Sequence, residues 1–258
     1  AHAGRKGSCA VPSEGGRPLR EGGWELLAPS AIPFDEGWPA PRAMTRSDMD
    51  DVRDQFVRAA SMAAEADFDI VELHMAHGYL LGTFLSPLTN LRDDAHGGSM
   101  ERRWRFPLEV FDAVRAVWPA GRPLSVRISA SDWKPGGLDS AGRVGLAQVL
   151  REHGCDMIAV SSGQTVADQQ PVYGRMFNVD FSEEIRQEAG IPTMVVGNIE
   201  SADQCHTILA AGRADLCVLA RTHLVDPYFT LHAAAAEGND DEYWPVQYLP
   251  ARSRYRRS

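Results

Sequence analysis

Two imidazoles and a phenol stand close together in His74-Met75-Ala76-His77-Gly78-Tyr79-Leu80. Imidazole N–H groups aimed at a carbonyl oxygen stabilise the negative charge that develops there, and a phenol can deliver a proton. The stretch follows Ile70-Val71-Glu72-Leu73. Those residues alternate and give way to a glycine, the pattern of a buried parallel strand that opens into a loop. In a parallel α/β barrel the carboxyl ends of the strands hold the chemistry, which makes His74, His77 and Tyr79 candidate site residues. The same triplet also fits a purely structural hydrogen-bond network. A metal centre is the weaker reading, because the two histidines lie three apart on a strand-to-loop segment and no third ligand stands at zinc spacing.

Three further strand ends attract attention. Leu124-Ser125-Val126-Arg127-Ile128-Ser129 carries an arginine inside an apolar run, which is costly unless the charge is paired. An ion pair within the protein is the plain explanation. Val196-Gly197-Asn198-Ile199 and Ala220-Arg221 close the last two strands. Small residues let a phosphate approach backbone N–H groups, and arginine adds a bidentate partner, so Gly197, Ala220 and Arg221 are expected to form a phosphate site.

The elements that must position these groups alternate regularly. Thr45-Arg46-Ser47-Asp48 offers a helix cap, followed by Met49, Val52, Phe56, Ala59, Ala60 and Ala63 on one face. A second amphipathic helix holds Leu108, Phe111, Val114 and Val117 and closes at Pro119 and Gly121. Strands are expected at 70–73, 124–129, 157–160, 192–196 and 216–219, with helices around 144–151, 181–189 and 202–211 between the later ones. Such alternation specifies a parallel α/β sheet, the β/α barrel class, with five strands present of the eight in a closed TIM (β/α)8 barrel. Residues 1–43 are expected to be a long loop region, 44–236 the strand–helix repeats and 237–258 a C-terminal tail.

Composition narrows the class of partner. The 258 residues are 44% hydrophobic with a formal net charge of −9, enough for one full core and unfavourable for nucleic acid. The basic Arg252-Ser253-Arg254-Tyr255-Arg256-Arg257 run is expected to be a solvated end. Cys9, Cys155, Cys205 and Cys217 show no CxxC spacing, and Cys217 is expected to be a buried free thiol. A reducing cytoplasm follows from that usage, and no apolar run reaches the length of a membrane span.

Beyond the histidines, Phe84-Leu85-Ser86-Pro87-Leu88-Thr89-Asn90, Arg92, Asp94, Gly97-Gly98-Ser99, Glu101 and Arg103 follow in order. Together this stretch of about thirty residues resembles the signature of the Old Yellow Enzyme family of flavin-dependent ene-reductases. Its closest flavour resembles the oxidoreductase portions of salicylyl-CoA and 2-aminobenzoyl-CoA monooxygenases, through Leu80-Leu81 and Trp244-Pro245-Val246-Gln247-Tyr248. The resemblance implies FMN as cofactor and NADH or NADPH as transient reductant. His74 and His77 would bind the substrate oxygen and Tyr79 would supply a proton. Arg127 would hold the flavin ring, and Gly197, Ala220 and Arg221 its phosphate. The substrate would be an activated C=C compound, an enone or an aryl-CoA derivative, and a homo-oligomer or a fusion to a flavin monooxygenase domain would be the macromolecular context. Because His-Ala-Gly-Arg follows the third barrel strand in that family, about the first third of the barrel is expected to lie outside this sequence. A flavin-free barrel fragment acting as a scaffold or interaction module is the competing class, and a metal-dependent barrel hydrolase is a third.

Overall fold

The computed structural model describes residues 1–239 and 244–252. Much of the segment before residue 45 is irregular, as its Gly and Pro content predicts, but it is stitched to the body. A short strand β1 (Leu27–Ala28) pairs in parallel with β2 (Arg42–Ala43). Leu26 and Ala28 are buried, so this ribbon packs as part of the fold and is more than the surface loop expected from its composition. Arg92 fastens it, donating from Nη1 to the carbonyls of Pro29 at 3.0 Å and Met44 at 2.8 Å.

Helix α1 (Arg46–Glu65) begins at a reciprocal capping box between Thr45 and Asp48. It buries Met49, Val52, Phe56 and Ala60, whereas Ala59 sits at the margin of that stripe and faces solvent. Strand β3 (Val71–Met75) follows, one residue later than expected, with Ile70 exposed before it. A six-residue helix α2 (Leu80–Leu85), entirely buried, then turns the chain back under the strand end. Helix α3 (Met100–Val117) starts well before the Leu108 expected from the pattern. Val117 is exposed rather than part of its apolar stripe, because the backbone leaves the helix at Trp118 and swings the indole inward. The Trp118 Nε1–H donates to the carbonyls of Arg122 and Pro123, both at 3.0 Å.

From there strand and helix alternate: β4 (Leu124–Ser129), α4 (Ser140–Glu152), β5 (Met157–Ser161), α5 (Val179–Ala189), β6 (Thr193–Val195), α6 (Ala202–Ala210) and β7 (Leu216–Cys217). Two shorter helices, α7 (Arg221–Val225) and α8 (Phe229–Ala236), follow. Side-chain caps at Asp139 and Ser201 start α4 and α6, and Gly190 in the left-handed region ends α5.

The five strands β3 to β7 are all parallel and lie in chain order across the sheet. A doubly wound sheet reverses its strand order at a switch point; this one advances steadily, which is the path of a β/α barrel. Five units of the TIM-barrel architecture are therefore present. Strand β7 is shorter than the 216–219 expected, and its edge residue Leu216 is 51% exposed. Cys217 is only partly buried, and Cys155 is the thiol enclosed in the core; all four cysteines are free.

The period-two alternation of the strands divides the sheet into two faces. Leu73, Met75, Val126, Ile128, Ile158 and Val160 are buried in one cluster with Val110, Phe111 and Val114 of α3 and Leu146, Ala147 and Leu150 of α4. Residues 253–257 of the basic run lie outside the described residues. Among the described residues no helix is long and apolar enough to cross a membrane.

Candidate active site at the strand ends

The face of the sheet opposite the helices is the polar one. In register across it stand His74 on β3, Arg127 on β4, Ala159 on β5 and Met194 on β6. One step further along, Ser129 ends β4 directly opposite Ser161, which ends β5. Glu72 precedes His74 on the same face, and its Oε1 lies 3.9 Å from Arg127 Nη1. The ion pair that would explain Arg127 internally is therefore at the limit of contact, and Arg127 Nε is buried with no hydrogen-bond partner among the described residues.

His77 lies just past β3 with φ 59°, a left-handed conformation in a residue other than glycine. Its ring, that of His74 and that of Tyr79 gather edge to face. The His74 ring centroid is 5.0 Å from that of His77 and 5.1 Å from that of Tyr79. The backbone N–H of Ala76 donates to His74 Nδ1 at 3.1 Å, and His74 Nε2 lies 3.3 Å from His77 Nδ1. His77 Nε2 lies 2.7 Å from Ser161 Oγ.

Burial, reinforced by the nearby Arg127 charge, pushes the His74 ring down to about 4. Burial, then the neighbouring His74 and Arg127, pushes His77 down to about 3. Both rings are neutral near pH 7, so each carries one hydrogen. Since His74 Nδ1 accepts from Ala76, its hydrogen is on Nε2 and points to His77 Nδ1; the His77 hydrogen is then on Nε2 and points to Ser161.

Lys6 closes the cluster from a distant part of the chain. Its Nζ donates to the carbonyls of His77 at 3.0 Å and Gln164 at 2.8 Å, and sits 4.2 Å from the Phe34 ring centroid. Burial, with the adjacent Arg5 charge, lowers its ammonium to about 8.

The expected phosphate residues meet at the next strand ends. Gly197, Ala220 and Arg221 line one cavity of about 540 Å³ together with Ser161, Phe177 and Asn178. Gly197 has φ 147°, and a Cβ there would lie 2.9 Å from Asn178 Nδ2 and 3.0 Å from the Phe177 ring. The glycine is thus required by the close approach of these side chains as well as by its backbone. Arg221 donates from Nη2 to Asn198 Oδ1 at 2.8 Å. Ser161 links the two halves, lining this cavity and touching His77.

The residues present fit a flavin mononucleotide. A buried guanidinium nitrogen without a partner, a cavity of ligand size and a glycine-edged wall beside an arginine are the features that such a ring and phosphate require. Among the described residues no group of three His, Cys, Asp or Glu side chains is arranged to hold a metal ion.

Ser129, Ser161, Asn178 and Lys6 are site residues that the sequence reading missed. Ser129 could have been found, since it falls two residues after Arg127 on the same strand, whereas Ser161 lies one residue past the strand expected at 157–160, on which no site residue had been assigned. Lys6 carries no local pattern. Conversely, Asn90 and Arg103 of the long motif serve as scaffold: the Asn90 Nδ2 amide donates to the carbonyls of Phe84 and His96, both at 2.8 Å, and Arg103 Nε donates to that of Leu85 at 3.0 Å.

Comparison with known proteins bears on the fold and the family. Residues 26–240 match the model of the NADH:flavin oxidoreductase / NADH oxidase family. The chain is 46% identical over 248 residues to an NADPH dehydrogenase of Geobacillus thermodenitrificans, covering 96% of this chain and 68% of that protein. It is 42% identical to an NADPH dehydrogenase of Bacillus subtilis over the same shares. Among solved structures, morphinone reductase superposes with a TM-score of 0.66 at 27% identity, over 87% of this chain and 68% of that one. These relatives do not single out the CoA-monooxygenase branch expected from the chain's ending. The chain belongs to the NADH:flavin oxidoreductase / NADH oxidase family, the FMN-dependent NAD(P)H oxidoreductases of the Old Yellow Enzyme type.

Proposed function

We propose that this chain carries the catalytic face of an NADPH-driven ene-reductase whose substrate is an activated C=C compound, with an enone as the simplest member. The observation that carries this reading is the pair of neutral, hydrogen-bonded imidazoles at the end of β3. NADPH is taken as reductant because the curated relatives are NADPH dehydrogenases.

His74 and His77 together serve the carbonyl oxygen of the substrate. The His77 Nε2–H is the donor offered to the charge that develops on that oxygen, and His74, whose own Nε2–H goes to His77 Nδ1, fixes the tautomer that presents it; neither neutral ring transfers a proton. Their protonated forms are scarce near pH 7, so the proton for the α-carbon falls to Tyr79, whose ring packs against His74. Arg127 would hold the flavin ring, while Gly197, Ala220 and Arg221 would hold the phosphate. FMN held there would supply hydride-transfer chemistry, with NADPH as its reductant. Lys6 holds the His77 carbonyl, and Phe34 lies over the Lys6 ammonium.

An aryl-CoA thioester also presents a carbonyl to such a donor. The orphaned Arg127 Nε favours a flavin-binding protein over a flavin-free scaffold. The test is titration of the purified protein with FMN, followed by NADPH reduction and mixing with cyclohexenone in the absence of oxygen. Bound flavin that is reoxidised by the enone supports the reading; a colourless protein that cannot be reconstituted refutes it.

A further inference from the structure

We propose that Ser129 and Ser161 are positioning residues that together hold His77, Ser129 through the backbone and Ser161 through the ring. The inference rests on the role just given to His77. It starts from the register: these serines are the last residues of β4 and β5 and face one another across the sheet. Both are 7% exposed.

Ser129 Oγ accepts the backbone N–H of His77 at 2.8 Å and donates to the carbonyl of Gly163 at 2.9 Å. It thereby satisfies the one backbone donor of a residue held at φ 59°. Left-handed backbone in a residue with a side chain persists only where its surroundings fix it. Ser161 Oγ, 2.7 Å from His77 Nε2, grips the far end of the same residue. With the backbone and ring tip both held, the imidazole has little freedom left about χ1 and χ2. Ser161 also lines the cavity, so the Nε2–H is directed at a residue of the cavity wall.

The direction of hydrogen bonding adds to this. The Ala76 N–H fixes the His74 tautomer, and His74 Nε2–H in turn fixes that of His77. The Nε2–H of His77 is the end of that chain, and Ser161 is its acceptor. An incoming carbonyl oxygen has only to take the place of a serine hydroxyl at a donor already oriented. No tautomer change is needed.

The experiment combines a spectrum with a mutant cycle. In protein labelled with ¹⁵N-histidine, His77 is expected to show a protonated Nε2 and an unprotonated Nδ1, with the Nε2 proton protected from exchange. Ser161→Ala is expected to abolish that protection, and Ser161→Thr, which keeps the hydroxyl, to restore it. Ser129→Ala and Ser161→Ala are each expected to slow enone reoxidation of the reduced flavoprotein by about ten- to a hundredfold, the scale set by small misplacements of reacting groups. On a His77→Ala background both effects are expected to vanish, since each serine acts through His77. A serine effect undiminished in that background, or a protected Nε2 proton persisting in Ser161→Ala, overturns the assignment. If the wild-type flavoprotein is not reoxidised by any enone, the ene-reductase reading fails by itself, and the spectrum still decides the serine assignment.

Discussion

His74 on β3 and Arg127 on β4 are register partners, so an imidazole stands beside a guanidinium on the polar face of the sheet. The pairing has a chemical consequence: next to burial, the Arg127 charge is what keeps the His74 ring unprotonated. A His74 that stays neutral keeps its one N–H on His77 across a wide pH range, so the pair presents the His77 donor without adding a charge to the pocket.

The pH dependence follows. With His74 near 4 and His77 near 3, the enone half-reaction is expected to show no histidine titration between pH 5 and 8. Both folded values lie below the free-histidine value of about 6.5. The unfolded chain therefore binds more protons in that window, and the stability these rings contribute is whole above about pH 6.5 and is lost as pH falls toward 4 and 3. Stopped-flow rates and urea unfolding at pH 5 and pH 8 check the two parts separately.

Arg221→Ala is expected to weaken FMN binding by about 2 kcal/mol, the scale of a charge-assisted hydrogen bond to phosphate. Its present partner, Asn198, keeps the guanidinium at the cavity wall. An equilibrium titration monitored by flavin fluorescence measures this, and unchanged affinity would place the phosphate elsewhere.

Gly197→Ala brings a Cβ to within 3.0 Å of Asn178 and Phe177 at a φ of 147°. Strain of about 1–3 kcal/mol is expected from such backbone alone. Both a lower Tm and weaker FMN retention should result, whereas Gly174→Ala, where a Cβ meets nothing within 4 Å, should alter neither.

Much of this was legible in the residue pattern, and the reasons for the exceptions are physical. Strand β4 and the capping box of α1 follow from local chemistry, alternation in one case and a Thr and Asp three apart in the other, and both were found at the residues expected. Helix α2 was not anticipated, because a six-residue segment buried on every side has no amphipathic period to detect. Val117 was misplaced because the chain leaves its helix at Trp118, and Ala59 because it lies at the margin of its stripe. In the site, His74, His77, Tyr79 and Arg127 were legible as polar groups at strand ends. Lys6 was not, since only the folded chain brings it to the carbonyl of His77.

Tyr79→Phe removes the proposed proton donor while keeping the ring that packs on His74. Enone turnover is expected to fall by about a hundredfold, the usual range for a lost general acid. Enone affinity and FMN binding should change little. A solvent-deuterium isotope effect on the oxidative half-reaction, present in the wild type and altered in the variant, would identify the step.

The central claim is that the imidazole pair serves the substrate carbonyl and is not needed to hold flavin. His74→Ala combined with His77→Ala therefore tests it most directly, by rapid mixing of each half-reaction on protein loaded with FMN. The account predicts near-normal FMN content, a smaller loss in NADPH reduction, and a collapse of enone reoxidation by more than a hundredfold, the scale for removal of an oxyanion-type donor. Reoxidation by the enone at the wild-type rate would contradict it and leave the two histidines as scaffold.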